Sequence, residues 1–153
     1  MILEPNPANG CFGCGGANPR GMRLTFERDD VSRRIRGAFR LGAEYEGGPG
    51  YIHGGIIATL LDEAMGKLNH FRDVRAVTAE LTIEYLRPVP VGEDLLVEAY
   101  EIEKNGRNLC HAGEIRNPSG QVLARARGRF VEINPARFSA GNATKKPGPE
   151  AVF

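Results

Sequence analysis

A histidine, two glycines and, nine residues on from the histidine, an aspartate form the grouping with most chemical content in this 153-residue chain: His53-Gly54-Gly55 and Asp62. The glycines stand where a Gly-rich loop gives way to a segment of helical periodicity. Their amides therefore belong to the N-terminal N–H groups that have no intrahelical acceptor, at the positive end of the helix. A carbonyl oxygen placed there meets preorganised donors, which is the arrangement of an oxyanion hole. Asp62 lies about 12 Å of helix axis beyond the first turn, at 1.5 Å per residue. An Asp62 that acts on the same carbonyl must then come from a second subunit. Taken alone, the residues equally allow glycines that only end a loop and an Asp62 that is a surface carboxylate.

The element that positions these groups is a helix predicted over residues 54–70, with Ile56, Ile57, Leu60, Leu61, Ala64, Met65 and Leu68 as its apolar stripe. Asp62 falls outside the stripe. Its helical neighbours Ala58, Thr59 and Gly66 are small, so a ligand or another backbone can approach it. Glu63, about 100° round the helix, reads as structural or solvated. Before the helix, residues 21–28 and 32–40 read as a hairpin turning at Arg28-Asp29-Asp30. After it, Val77, Ala79, Leu81, Ile83 and Tyr85 alternate strictly with Thr78, Glu80, Thr82 and Glu84, which predicts a strand with those two faces. Further strands are predicted over 94–104, 107–117 and 121–132. Asn105-Gly106, the preferred pair for a type I′ turn, separates the first two of these. Arg125, Arg127 and Arg129 on the last strand read as cross-strand partners of Glu80 and Glu84 rather than as a nucleic-acid stripe. Two strands, one helix and four strands give an α+β fold, a mainly antiparallel sheet covering one helix.

Composition bounds the function. With 41% hydrophobic and 25% charged residues the chain reads as one soluble domain, and a net charge of +1 leaves no global field for nucleic acid or an anionic membrane. No secretory leader or membrane-spanning run is expected. Three cysteines are too few for a disulfide framework, which points to the cytoplasm. Of 20 glycines, five lie between Gly10 and Gly21 and six between Gly42 and Gly55, so tight turns or close backbone approach are demanded at two places. Cys11-x-x-Cys14 is half of a zinc site that Cys110-His111 could complete. No metal is expected there.

Tyr51 through Asp62, YIHGGIIATLLD, resembles the central-helix motif of hotdog-fold acyl-CoA thioesterases, in the phenylacetate-pathway (PaaI-like) branch. Three further blocks agree: Cys11-Phe12-Gly13-Cys14-Gly15 with Asn18-Pro19-Arg20-Gly21-Met22, then Thr78 to Pro90, then Gly92-Glu93-Asp94. The likeness runs from about residue 10 to residue 132. It implies a single hotdog domain over 21–133, a curved antiparallel sheet wrapped around the helix. Residues 1–20 would be an irregular Gly- and Cys-containing cap closing one side of a substrate tunnel, and residues 134–153 read as a disordered tail. Assembly is expected as a homodimer or homotetramer through the edge strand from Thr78 to Tyr85.

The resemblance further implies hydrolysis of an acyl-CoA to a carboxylic acid and free CoA, with no cofactor beyond the coenzyme A of the substrate. Asp62 would be the catalytic carboxylate, as base or nucleophile. The Gly54 amide, with Gly55 helping, would polarise the thioester carbonyl, and His53 would shape the hole. Thr78 matches a hydroxyl that orients water in some members. Arg87, Arg107 and Asn108, at strand ends, are the candidates for contact with a coenzyme A phosphate. Some members carry Asn or Gln about six residues before the histidine. Here that stretch is Glu46-Gly47-Gly48-Pro49-Gly50, which leaves the role to Tyr51 or to a backbone group. A non-catalytic acyl-CoA-binding or sensing module on the same fold is the second reading, disfavoured by retention of Asp62. Hydratase relatives use a histidine and a carboxylate in an arrangement that His53 and Asp62 do not reproduce.

Overall fold

The computed structural model describes residues 1–136. In chain order its elements are β1 (Ile2–Leu3), β2 (Phe26–Asp29), β3 (Arg34–Arg40), α1 (Gly54–Lys67), β4 (Ala76–Tyr85), β5 (Asp94–Asn105), β6 (Asn108–Arg116) and β7 (Val122–Glu132). The seven strands form one sheet in the order β1-β2-β3-β5-β6-β7-β4, every neighbouring pair antiparallel. The sheet curves around α1, as the sequence predicts for a hotdog domain. Among the described residues no helix is long and apolar enough to cross a membrane.

The core forms where the helical stripe meets the inward positions of the central strands. Ile57, Leu60, Leu61, Ala64, Met65 and Leu68 are buried against Leu95, Val97 and Ala99 of β5, Leu109 and Ile115 of β6, and Ala124, Ala126 and Phe130 of β7. Their spacing of three and four residues keeps them on one helix face, and each large side chain removed from water contributes roughly 1.5–3 kcal/mol. The helix is thereby fixed in rotation, and Asp62 is held beside this buried face.

Local departures from the sequence reading have identifiable causes. Residues 1–20 are not wholly irregular, because Ile2 and Leu3 pair with Glu27 and Phe26 and extend the sheet by a strand. The strand predicted from residue 21 begins only at Phe26. Met22 and Leu24 donate their N–H groups to Phe12 and Gly13 of the Cys-containing loop instead, around an Arg23 with φ of 51°. Arg28 and Asp29 still pair across the hairpin, so the turn comes later, where the Asp29 carboxylate accepts the N–H groups of Val31 and Ser32. The α-helix ends at Lys67 and tightens into a 3-10 turn over Leu68–Arg72, which Asp73 stops in the left-handed region at φ 51°. Asn105 pairs with Asn108, so the central turn residues are Gly106 and Arg107 rather than Asn105 and Gly106. Only Gly106 of these two has positive φ, +57°, the pattern of a type II′ rather than a type I′ turn. Of the tail predicted over 134–153, residues 137–153 lie outside the described residues.

Candidate active site

His53 is the N-cap of α1. Its Nδ1 accepts the Gly55 N–H at 2.8 Å, while its backbone carbonyl accepts the N–H groups of Ile56 and Ile57. Across the helix start, the Tyr85 hydroxyl donates to the Gly54 carbonyl at 2.8 Å. The peptide unit between Gly54 and Gly55 is thus held at both ends. The preceding N–H, that of Gly54, has no acceptor among the described residues. This refines the sequence expectation for the pair: Gly54 keeps a free donor at the positive helix end, whereas the Gly55 donor is engaged by the cap. The His53 cap thereby fixes the turn at which the Gly54 amide stands. Tyr85 was assigned no role from sequence, and no local signal marks it, since the contact depends on how β4 crosses the helix.

Asp62 is half-buried, and its Oδ1 accepts a hydrogen bond from the Thr78 hydroxyl at 2.8 Å. Strict alternation would have turned Thr78 to the outer face with Glu80, Thr82 and Glu84. A β-bulge prevents this. Thr78 pairs with Phe130 and Glu80 with Arg129, so Ala79 is an extra residue and the alternation shifts by one on passing it. Thr78 consequently shares the helix-facing side with Leu81, Ile83 and Tyr85. Burial pushes the Asp62 carboxyl above its ordinary range; the Thr78 hydrogen bond pulls the other way, and the neighbouring Glu63 carboxylate adds to the rise. The result is a carboxylate of increased basicity with one oxygen held and the other without a partner among the described residues. On the outer face, Arg125 bonds Glu84 through two nitrogens at 3.1 Å and Arg129 approaches Glu80 to 3.8 Å, the cross-strand pairs the sequence suggested.

Thr78 lies beside Asp62 and Tyr85 beside Gly54, so β4 runs antiparallel to α1 and links both ends of the site. Within one chain those ends do not meet, because eight residues of helix separate Gly54 from Asp62, about 12 Å of rise. β4 pairs with β7 on one side only, and its other edge has no strand partner among the described residues. The loop before the helix presents backbone. A Cβ at position 47 would lie 2.9 Å from His53 Cα, and the Glu46 carboxylate turns back to accept the Gly50 N–H. No amide side chain stands in the stretch from Glu46 to Gly50.

The residues expected to contact coenzyme A are distributed over two ends of the sheet. The Arg87 N–H donates to the Leu123 carbonyl near the start of β7. Arg107 donates through Nε and Nη2 to the Glu132 carbonyl at the other end of β7, about 30 Å of strand away. Asn108 accepts from Arg129 at 3.3 Å. Neither Cys110 nor His111 reaches the Cys11-Cys14 loop. His111 is fully buried, and its Nε2 bonds Asn69 at 3.0 Å. Glu63, read from sequence as structural or solvated, accepts from the Cys11 thiol at 3.2 Å and so joins the loop to the helix.

A family model described as thioesterase superfamily matches residues 49–124, from the loop before α1 into β7. Residues 49–124 belong to the thioesterase superfamily. An acyl-coenzyme A thioesterase THEM4 of Xenopus laevis is 31% identical over 116 residues, covering 75% of this chain and 52% of its own length; that of Bos taurus is 30% identical, covering 76% and 48%. The chain therefore spans about half the length of these curated relatives. Among solved structures, the thioesterase superfamily protein RHA08564 is 34% identical with a TM-score of 0.71, covering 76% of this chain and 60% of that one. BH2602 of Bacillus halodurans, solved with CoA, is 27% identical with a TM-score of 0.63, covering 71% and 73%. The PaaI protein of E. coli, at 24% identity and a TM-score of 0.63, shares the fold.

Proposed function

We propose that the chain is an acyl-CoA thioesterase whose site forms between two copies. The observation that carries this reading is the pairing of a free Gly54 amide with a desolvated, singly tethered Asp62 on one helix, too far apart to act together in one chain. Joining the free edge of β4 to the same edge of a second copy about a twofold axis sets the Thr78 end against the Tyr85 end, and so carries Asp62 of one copy towards Gly54 of the other. The same operation brings Arg87 of one copy towards Arg107 and Asn108 of the other, converging the coenzyme A candidates. The relatives named acyl-coenzyme A thioesterases and the CoA-bound Bacillus halodurans relative support the substrate class.

In this reading the thioester carbonyl oxygen accepts the Gly54 N–H. The free oxygen of Asp62 takes a proton from water as that water attacks the carbonyl carbon, with Thr78 holding the other carboxylate oxygen. The tetrahedral oxyanion is stabilised at the helix end; the carbon–sulfur bond then breaks, and the thiolate leaves and takes up a proton as free CoA. A thioester is already activated, so a base and an oxyanion donor suffice, and no cofactor beyond the CoA of the substrate enters the scheme. Residues 1–20 cap one side of the acyl path. The proposal places the enzyme in the cytoplasm, where its thiols stay reduced.

The deciding experiment is complementation. Gly54→Pro and Asp62→Asn chains, each inactive in thiol release from a panel of aliphatic and aromatic acyl-CoAs, are unfolded, mixed and refolded together. With a shared site, half of the dimers are mixed and hold one intact site of two, so turnover returns to about a quarter of wild type. No recovery, with mixed dimers shown to be present, refutes a shared site. No thiol release by the wild-type chain from any ester, with tight CoA-ester binding, selects the sensing module instead.

A further inference from the structure

We propose that Cys11, Cys14 and Glu63 form a binding site for one thiophilic divalent cation, zinc by the chemistry of the donors, that clamps the N-terminal loop to α1. The two sulfurs and a Glu63 carboxylate oxygen lie within 4.8 Å of one another. A tetrahedral zinc with Zn–S near 2.3 Å and Zn–O of about 2.0–2.2 Å requires ligand atoms roughly 3.5–3.8 Å apart, so the Cys11–Glu63 contact at 3.2 Å opens slightly, an adjustment within the reach of side-chain rotation. The chelating loop is built before any ion arrives. The Cys11 N–H donates to Asn9 Oδ1 at 2.8 Å, the Gly15 N–H to the Cys11 carbonyl at 2.9 Å, and the Met22 and Leu24 N–H groups to the Phe12 and Gly13 carbonyls at 2.7 and 2.9 Å. These bonds hold both cysteines over the helix. The loop backbone presses on the third donor, since a Cβ at position 13 would lie 2.5 Å from the Glu63 side chain.

Charge balance points the same way. Two thiolates and a carboxylate carry three negative charges, a divalent cation leaves one, and Lys67, one helical turn on from Glu63, supplies a positive charge on the same side of the helix. Both thiols give up their protons to solvent on ligation, and water completes the fourth position. A reversible Cys11–Cys14 disulfide would make no use of Glu63, whereas two soft sulfurs with one carboxylate are a donor set suited to zinc. The sequence reading expected no metal at this loop, with only Cys110 and His111 available to complete it; the structure instead brings Glu63 to the two cysteines as a third donor. It is independent of the acyl-CoA reading, and its ion would hold structure rather than touch substrate.

The test uses the full-length, reduced chain after treatment with a chelator. Titration with Co²⁺ in the absence of oxygen is expected to produce a thiolate-to-cobalt charge-transfer band and tetrahedral d–d bands that saturate at one ion per chain and vanish on adding Zn²⁺. The bands are lost in Cys11→Ser and Cys14→Ser, weakened in Glu63→Gln and unchanged in Cys110→Ser. A readout on the unmodified chain guards against misfolded variants: Zn²⁺ should protect Cys11 and Cys14, but not Cys110, from alkylation mapped by mass spectrometry. Absence of the charge-transfer band, its survival in Cys14→Ser, its dependence on Cys110, or alkylation indifferent to Zn²⁺ would each overturn the site. Unchanged affinity in Glu63→Gln would remove Glu63 from it.

Discussion

Gly54→Pro isolates one hydrogen atom of the proposed site. Gly54 is the first helical residue, where proline is well accommodated because its missing N–H has no intrahelical acceptor. His53, at φ −58° and ψ 135°, already occupies the extended region that a residue before proline prefers. A Cβ at position 54 meets the Tyr85 ring only at an ordinary 3.5 Å contact. The substitution should therefore leave the melting temperature unchanged or slightly raised, since Gly→Pro at a compatible site contributes about 0.4–1 kcal/mol through the unfolded chain. What disappears is the Gly54 donor, and the Gly55 N–H cannot replace it because His53 Nδ1 holds it. Loss of one oxyanion donor lowers kcat by roughly 10²–10³, about 2.7–4 kcal/mol of transition-state stabilisation, with little change in KM. The assay is steady-state thiol release from an acyl-CoA, with Gly54→Ala, which keeps the N–H, as the control expected to retain most of its activity. Near-wild-type kcat in Gly54→Pro refutes the oxyanion assignment. An equal loss in Gly54→Ala shows that crowding of the glycine, not loss of its donor, is responsible.

Asp62→Asn should abolish turnover without lowering the melting temperature at pH 7. The raised Asp62 pKa means that the fold disfavours the ionised form, so its contribution to stability is greatest below the unfolded pKa and declines as pH rises through the folded one; a large destabilisation at neutral pH would contradict this. Thr78→Val removes the hydroxyl that draws the Asp62 pKa down, so the acid limb of the kcat/KM profile should move to higher pH, with kcat lower by roughly tenfold for a hydrogen bond of about 1.5 kcal/mol to a charged group. An unmoved limb would show that Asp62 is not the titrating base. Burial holds His111 at about 4, below its ordinary 6.5, so the native state resists the proton that the unfolded chain accepts. Stability should be fully present above pH 6.5 and fall by on the order of 3 kcal/mol as pH drops to about 4. Urea denaturation across that range checks it, and an equally steep fall in His111→Gln would reject the assignment. Arg107→Ala should raise KM for CoA esters and spare a short pantetheine ester; equal effects on both would remove Arg107 from the coenzyme site.

Much of this protein is local in origin and was legible in its residues. The stripe from Ile57 to Leu68 defines the helix because only a period near 3.6 buries those side chains together, and His53-Gly54-Gly55 marks its start because unpaired amides need a cap or a ligand. The ladder of Glu80 and Glu84 against Arg129 and Arg125 followed from alternation and charge. Three decisive features depended instead on groups distant in sequence. Whether Thr78 faces Asp62 or solvent turns on one unpaired residue, Ala79, and a bulge is a property of two strands in register rather than of either one. The Gly54–Gly55 peptide is held from 31 residues away, where the Tyr85 hydroxyl of β4 bonds the Gly54 carbonyl. Glu63 found Cys11 only because residues 22–24 bond to the loop and draw it over the helix. Periodicity identifies the faces of an element, whereas the offset between elements is set by packing, and that offset determines which polar atoms meet.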